Sequence, residues 1–121
     1  MGIARETLTE AKILIAAESW RGAINRLYYA GFYSASAYLI AIGEEPTTHK
    51  GAKHKFNEHL AGPQLVSRPV ARAFNQLATI RNDTDYRDFS DLKGEQVQEF
   101  EEAIVAMNDT IRKLVEAFEE T

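Results

Sequence analysis

The chain has no cysteine, which excludes disulfides and thiolate metal sites and fits a reducing cytoplasm. Proline is scarce, at three residues in 121, and the seven glycines form no low-complexity tract. Long apolar runs are missing too. The longest uncharged stretch, residues 27–43, contains four tyrosines, two serines and two glycines, so it falls short of the roughly 20 predominantly apolar residues of a membrane span. Positive charge is not in excess: 14 basic against 18 acidic side chains give a net charge of -4. That balance argues against a cationic nucleic-acid coat and confines any nucleic-acid contact to a local patch. The opening "MGIARETLTEAK" carries charges where an export signal needs an apolar core. Neither a glycine-rich phosphate loop nor a metal-ligand cluster is visible, which disfavours a P-loop NTPase or a zinc hydrolase and gives no reason to expect a cofactor or metal. The expectation is one cytoplasmic domain over residues 1–121, without membrane attachment.

What is present is helical periodicity, and the reading is all-α: an up-and-down bundle of four to five helices. A first helix is expected over about residues 5–18, with Leu8, Ala11 and Ile15 on one stripe and Ile13 and Leu14 widening it. A second should start at Ser19 as N-cap and run to Ile42, where Gly43 stops it. One of its faces carries Ile24, Leu27, Tyr28, Gly31, Ala35, Tyr38 and Leu39. The other side carries Tyr29, Phe32, Ser36 and Ile40, so the helix is apolar nearly all round and should be buried on more than one side. In so small a domain the second side is expected to meet another copy, making a homodimer, with Ala30, Gly31, Ser34, Ala35 and Ala37 permitting close approach. The alternative is a central helix in a monomer. A short third helix over residues 50–60 should end at Gly62-Pro63, and a fourth should start near Ser67 with Pro69 in its first turn. The last, over residues 94–118, spaces Val97, Phe100, Ile104, Met107, Ile111, Leu114 and Phe118 by threes and fours, the pattern of a bundle seam.

The chemistry concentrates where the fourth helix should end. "ATIRNDTDYRDFS", residues 78–90, packs Arg81, Asn82, Asp85 and Tyr86 together. On a helix Asp85 lies one turn beyond Arg81, so one reading is an exposed ion pair worth a few tenths of a kcal/mol. The other is a phosphate site, in which the guanidinium supplies a bidentate fork and the amide and carboxylate fix its direction. Arg26 and Tyr29 on the second helix add a second cation and a polar-tipped ring as supporting residues. "HKGAKHK", residues 49–55, is the densest basic cluster, and its Lys50, Lys53 and Lys55 could extend the phosphate field or form a solvated surface. The acids concentrate in residues 95–121, where eight oppose Arg112 and Lys113, so the rest of the chain is slightly basic.

Three strings in order, "NRLYYAGFYSASAYLIA", "THKGAKHKF" and "IRNDTDY", together resemble the HEPN domain family in its small stand-alone prokaryotic branch. The resemblance implies a bundle of four or five helices, usually dimeric, with the arginine motifs facing each other across a shared cleft. Many HEPN proteins are metal-independent ribonucleases and toxins whose signature is an arginine, a polar residue, a few more residues and a histidine. Arg81 and Asn82 match its start, but Tyr86 stands where the histidine is expected. A phenol titrates near pH 10 and is a poor base at neutrality, which disfavours a vigorous ribonuclease. His49 or His54 could stand in for the missing imidazole, each being otherwise an ordinary surface histidine. The "DY" ending is common in this branch, whose members are often encoded beside an MNT-type nucleotidyltransferase. In related pairs the transferase adenylylates a tyrosine near the arginine motif, and Tyr86 is the candidate for such modification here. The resulting expectation is a protein that binds nucleotide or RNA phosphate through Arg81, Asn82, Asp85, Lys50 and Lys53, as the HEPN component of a toxin-antitoxin-like pair. The alternatives are a weak metal-independent endoribonuclease with Arg81 as its catalytic residue, and a structural dimerisation module without catalysis.

Overall fold

The computed structural model describes residues 2–45, 47–82 and 94–120. Five α-helices follow one another: α1 (Gly2–Ala16), α2 (Trp20–Ala41), α3 (His49–Phe56), α4 (Arg68–Asn82) and α5 (Gly94–Glu119). A π-helical turn, Asn57–Ala61, prolongs α3, and the described residues contain no strand. The all-α bundle read from periodicity is therefore the fold.

The helix ends follow from local chemistry. At the α1–α2 corner the Ser19 amide donates to the Leu14 carbonyl at 2.8 Å and the Glu18 amide to Ile15 at 3.0 Å, with Glu18 at φ 57°. Those two bonds are the Schellman pattern, here with a glutamate in the left-handed position. Ser19 stands at the N-cap of α2 but its side chain makes no capping bond, contrary to the expectation: its backbone, at φ -88° and ψ 78°, is not in the extended conformation that aims a capping side chain at the free amides. Gly43, at φ 83°, closes α2 the same way, with the Glu44 amide on Leu39 and its own on Ile40. Thr48 caps α3 by accepting the Gly51 amide at 2.8 Å, and Ser67 caps α4 through the Val70 amide at 3.4 Å, with Pro69 in the first turn.

α2 lies at the centre and packs on α1, α3, α4 and α5. Of its expected core face, Ile24, Leu27, Tyr28, Gly31, Ala35 and Leu39 are buried, while Tyr38 is half-buried against the core. Gly31 is the point of closest approach, since a Cβ there would lie 2.7 Å from the Phe74 ring of α4 and 3.2 Å from Ile104 of α5. Phe74 stacks on Tyr28 with ring centroids 5.8 Å apart and an interplanar angle of 4°, and it meets Phe56 at 4.7 Å. The π turn is tied to α4 by two side-chain hydrogen bonds, the Asn75 Nδ2 donating to Asn57 Oδ1 at 2.8 Å and the Asn57 Nδ2 to Asn75 Oδ1 at 3.2 Å. These contacts pack the end of α3, the π turn and the middle of α4 together beside α2.

Three expectations need correction. Ala30, Gly31, Ser34 and Ala35 are buried within the chain, so their small size serves packing among its own helices and not an approach to another copy. Ile13 is 64% exposed and does not widen the core stripe of α1, which is Ala4, Thr7, Leu8 and Ala11. Phe118 is 47% exposed, so the seam of α5 does not bury its last apolar residue.

Candidate functional site

Of the residues expected to carry the chemistry, α2 supplies Arg26 and Tyr29 and α4 supplies Arg81, and the fold brings these three together. The Arg81 Nη2 donates to the Tyr29 hydroxyl at 3.1 Å, and its guanidinium carbon lies 5.6 Å from the Tyr29 ring centre. The Arg26 guanidinium carbon lies 5.2 Å from the same ring. Both distances are within cation–π range, so one phenol anchors two arginines 55 positions apart in sequence. Arg26 is partly neutralised: Asn25 Oδ1 accepts from its Nε and Nη2 at 3.1 and 2.7 Å, and the Glu10 carboxylate lies 3.7 Å away. Arg81 is exposed, and among the described residues its hydrogen-bond partner is the neutral Tyr29, with no carboxylate in ion-pair range.

The first residue of α3 completes the cluster. The His49 Nδ1 lies 2.9 Å from the Tyr28 hydroxyl. The imidazole stacks on Phe32, with centroids 4.4 Å apart at 29°, and meets the Tyr29 ring edge-on at 5.7 Å and 89°. Tyr33 extends the aromatic surface, 5.8 Å from both Tyr29 and Phe32. Burial pushes the Tyr28 hydroxyl up to about 12, helped by the adjacent Tyr29 and opposed by the positive charge of Arg81. That phenol therefore stays protonated at any physiological pH.

The remaining candidates divide. Lys50 and Lys53 follow His49 on α3, and among the described residues no hydrogen bond or ion pair ties either to the cluster. Lys55 is diverted, bonding the Glu44 carboxylate at 2.6 Å and holding it below the usual carboxylate range. His54 faces solvent, 79% exposed beside Glu58, so of the two histidines that could join the site it is His49 that does. Asn82 is the last residue of α4. Asp85 and Tyr86 lie outside the described residues, and with them the ion pair expected between Arg81 and Asp85. A wide groove of about 970 Å³ runs elsewhere, between α4 and α5, past Arg72, Gln76, Thr79, Glu99 and Phe100, and touches none of Arg26, Tyr29, His49 or Arg81.

Sequence reasoning places Tyr28 correctly on the buried face but not the destination of its hydroxyl. A buried phenol needs a polar partner. That requirement is the available signal that a polar ring from another element would meet it.

The chain resembles known proteins along nearly its full length. Residues 1–120 match the family described as HEPN domain. A UPF0332 protein of Thermotoga maritima is 33% identical over 113 residues, which cover 93% of this chain and 86% of the relative. A Methanocaldococcus jannaschii protein named "Putative toxin MJ0605" is 32% identical over 84 residues, 69% of this chain and 63% of that one. The UPF0332 protein glr0978 of Gloeobacter violaceus is 30% identical over 86 residues, 71% of this chain and 68% of that protein. No solved structure gave a significant match. With its central two-sided helix, its arginine at the end of α4 and a family match over residues 1–120, the chain belongs to the HEPN domain family.

Proposed function

We propose that the Arg81–Tyr29–Arg26 cluster binds a phosphate of RNA or of a nucleotide, and that the protein acts as the HEPN component of a toxin-antitoxin-like pair. The observation that carries this reading is the state of Arg81. Its guanidinium is exposed, is oriented by a neutral hydroxyl at 3.1 Å, and has no carboxylate partner among the described residues. An arginine oriented by a neutral hydroxyl and held over an aromatic ring can present its bidentate fork to an anion. Arg26 reinforces the positive potential from the far side of α2's aromatic cluster, although Glu10 draws part of its charge. The toxin component of the proposal is supported by the name of the archaeal relative. A nucleotidyltransferase partner, Tyr86 as its target, and the orienting roles of Asn82 and Asp85 rest on the sequence resemblance.

The test is equilibrium binding of a labelled single-stranded RNA across a salt series. Charged hydrogen bonds are worth about 1.5–3 kcal/mol, so Arg81→Ala should weaken binding roughly 10- to 100-fold. Its log–log salt slope should become shallower by about 0.7 for each phosphate the variant no longer neutralises. Unchanged affinity and slope in Arg81→Ala would rule the site out and leave a dimerisation module as the reading.

A further inference from the structure

We propose that the groove between α4 and α5 is a docking site for an amphipathic helix of a partner protein, one that carries lysine or arginine along the flank facing α5. The inference is independent of the phosphate-binding reading, since the groove touches no residue of the arginine cluster.

The first support is shape. The groove is lined on α4 by residues between 69 and 80 and on α5 by residues between 96 and 106. At a rise of about 1.5 Å per residue each wall is about 15 Å long, close to three helical turns. Its volume of about 970 Å³ is bordered by Val70, Ile80 and Phe100, each only half-buried against the core, and by the small Ala73, Ala103 and Ala106. The alanines let another backbone come close, and the larger side chains have apolar surface left to bury. Both walls are helices, whose amides and carbonyls are bonded within their own turns. An extended segment laid between them would find no ladder to join and would leave its own amides unpaired. A helix satisfies its backbone internally and offers the groove only side chains.

The second support is charge. Glu99 and Glu102 stand on the α5 wall and Arg72 on the α4 wall. Among the described residues none of these three has an ion-pair partner, whereas Asp109 and Glu116, farther along α5, are neutralised by Arg112 and Lys113. Glu95 continues the unpaired acidic row one turn before Glu99. A helix seated in the groove meets carboxylates on one side and a guanidinium on the other, so its cations belong on the α5 side. The same carboxylates repel a phosphate backbone, which separates this surface from the nucleic-acid site.

The helices of this chain do not answer that description. α3 carries the basic cluster but has only eight residues, with Lys55 tied to Glu44. The exposed face of α4 follows Arg72 with Gln76 and Thr79 and has no apolar stripe, and α5 repeats the acids of the groove itself. The occupant is therefore a different protein.

The experiment uses the full chain and a fluorescent synthetic peptide, stapled as a helix long enough to span both walls, with a leucine and alanine stripe flanked by lysines. A counterpart replaces every lysine with glutamate. Anisotropy should show the lysine peptide binding at least about tenfold more tightly than the glutamate one, and less tightly as salt rises. Glu99→Lys combined with Glu102→Lys should weaken the lysine peptide by about tenfold or more and strengthen the glutamate peptide. Glu119→Lys with Glu120→Lys, the same change in net charge at exposed positions away from the groove, should leave both within about twofold. Ala106→Trp, at an exposed position lining the groove, should block the lysine peptide, while Arg81→Ala should leave it unchanged. Equal weakening by the two charge reversals means a general attraction to an acidic protein and overturns the proposal, as does a lysine peptide that binds no better than its counterpart or ignores Ala106→Trp. A fall in the sedimenting mass of the protein alone on Glu99→Lys with Glu102→Lys would put a second copy in the groove and overturn it too.

Discussion

At the scale of single residues the informative group is Tyr28, which is 1% exposed yet carries a hydroxyl bonded to a histidine from another helix. Its proton comes off near pH 10 in the unfolded chain and near 12 in the folded one. Between those values the native state holds a proton that the unfolded state has released, so unfolding becomes easier as pH rises. Stability from this group is complete below pH 10 and is lost as pH climbs through about 12. The loss should be on the order of 1–2 kcal/mol, since a tenfold change in proton affinity corresponds to about 1.4 kcal/mol and part of it is screened at the edge of the aromatic cluster. Tyr28→Phe should cost about 1 kcal/mol at pH 7 through the lost hydrogen bond, and should flatten the decline in stability that sets in above pH 10 and runs to about 12. Urea unfolding of both proteins at several pH values measures this, and parallel declines would show that Tyr28 is not the group responsible. The same residue shows where sequence reading stops. Helical period alone assigns Tyr28 to the core and Tyr29 to the opposite side, but the meeting of Tyr28 with His49, 21 positions away, depends on where the turn at Gly43 and the Thr48 cap send the chain.

At the scale of elements, period and punctuation make most of the fold legible. The seam of α5 and the cap at Ser67 are visible because each is local: apolar spacing by threes and fours, and a hydroxyl three residues before a free amide. The Ser19 cap lacks its side-chain bond because the tight corner after α1 leaves that residue at ψ 78°, away from the extended backbone of a capping residue. The destination of the small residues in α2 is illegible for another reason. Composition says that something comes close, but only the packing says what, and here it is Phe74 and Ile104. That close approach yields a prediction. Alanine normally stabilises a helix interior by about 1 kcal/mol over glycine, yet Gly31→Ala would place a methyl 2.7 Å from a Phe74 ring already wedged between Tyr28 and Phe56. Overpacking of this kind costs about 1–3 kcal/mol, so the net effect should be destabilising. Gly22→Ala, on the same helix, meets the end of the Leu14 side chain at 3.1 Å, which can move, and the Ser19 Oγ at an ordinary 3.6 Å, and should be neutral or stabilising. Thermal unfolding should therefore shift in opposite directions or at least differ by several degrees, and equal shifts would mean that Phe74 yields easily.

At the scale of the whole molecule, the decisive feature is what α2 leaves open. Its core face is fully used, while Tyr29, Phe32, Tyr33 and Ser36 are only half-buried and Ile40 is 56% exposed. An apolar helix side of this extent, ending in the aromatic cluster that holds Arg81, is what a second copy would cover if the expected homodimer forms. The acidic α5 contributes its own exposed charge elsewhere, with Arg112 and Lys113 already paired to Asp109 and Glu116, so the association would be apolar in character and only weakly salt-dependent. Sedimentation equilibrium at tens of micromolar protein should then return twice 13.6 kDa. Ile40→Glu places a charge on a side chain that the isolated chain does not bury, so it should leave helicity and unfolding almost unchanged while shifting the mass toward the monomer. If the arginine clusters of two copies share one cleft, the same substitution should also weaken RNA binding without touching any residue of the cluster. A monomeric wild type would remove the shared cleft and require the Arg81–Tyr29–Arg26 cluster of a single chain to hold the phosphate by itself.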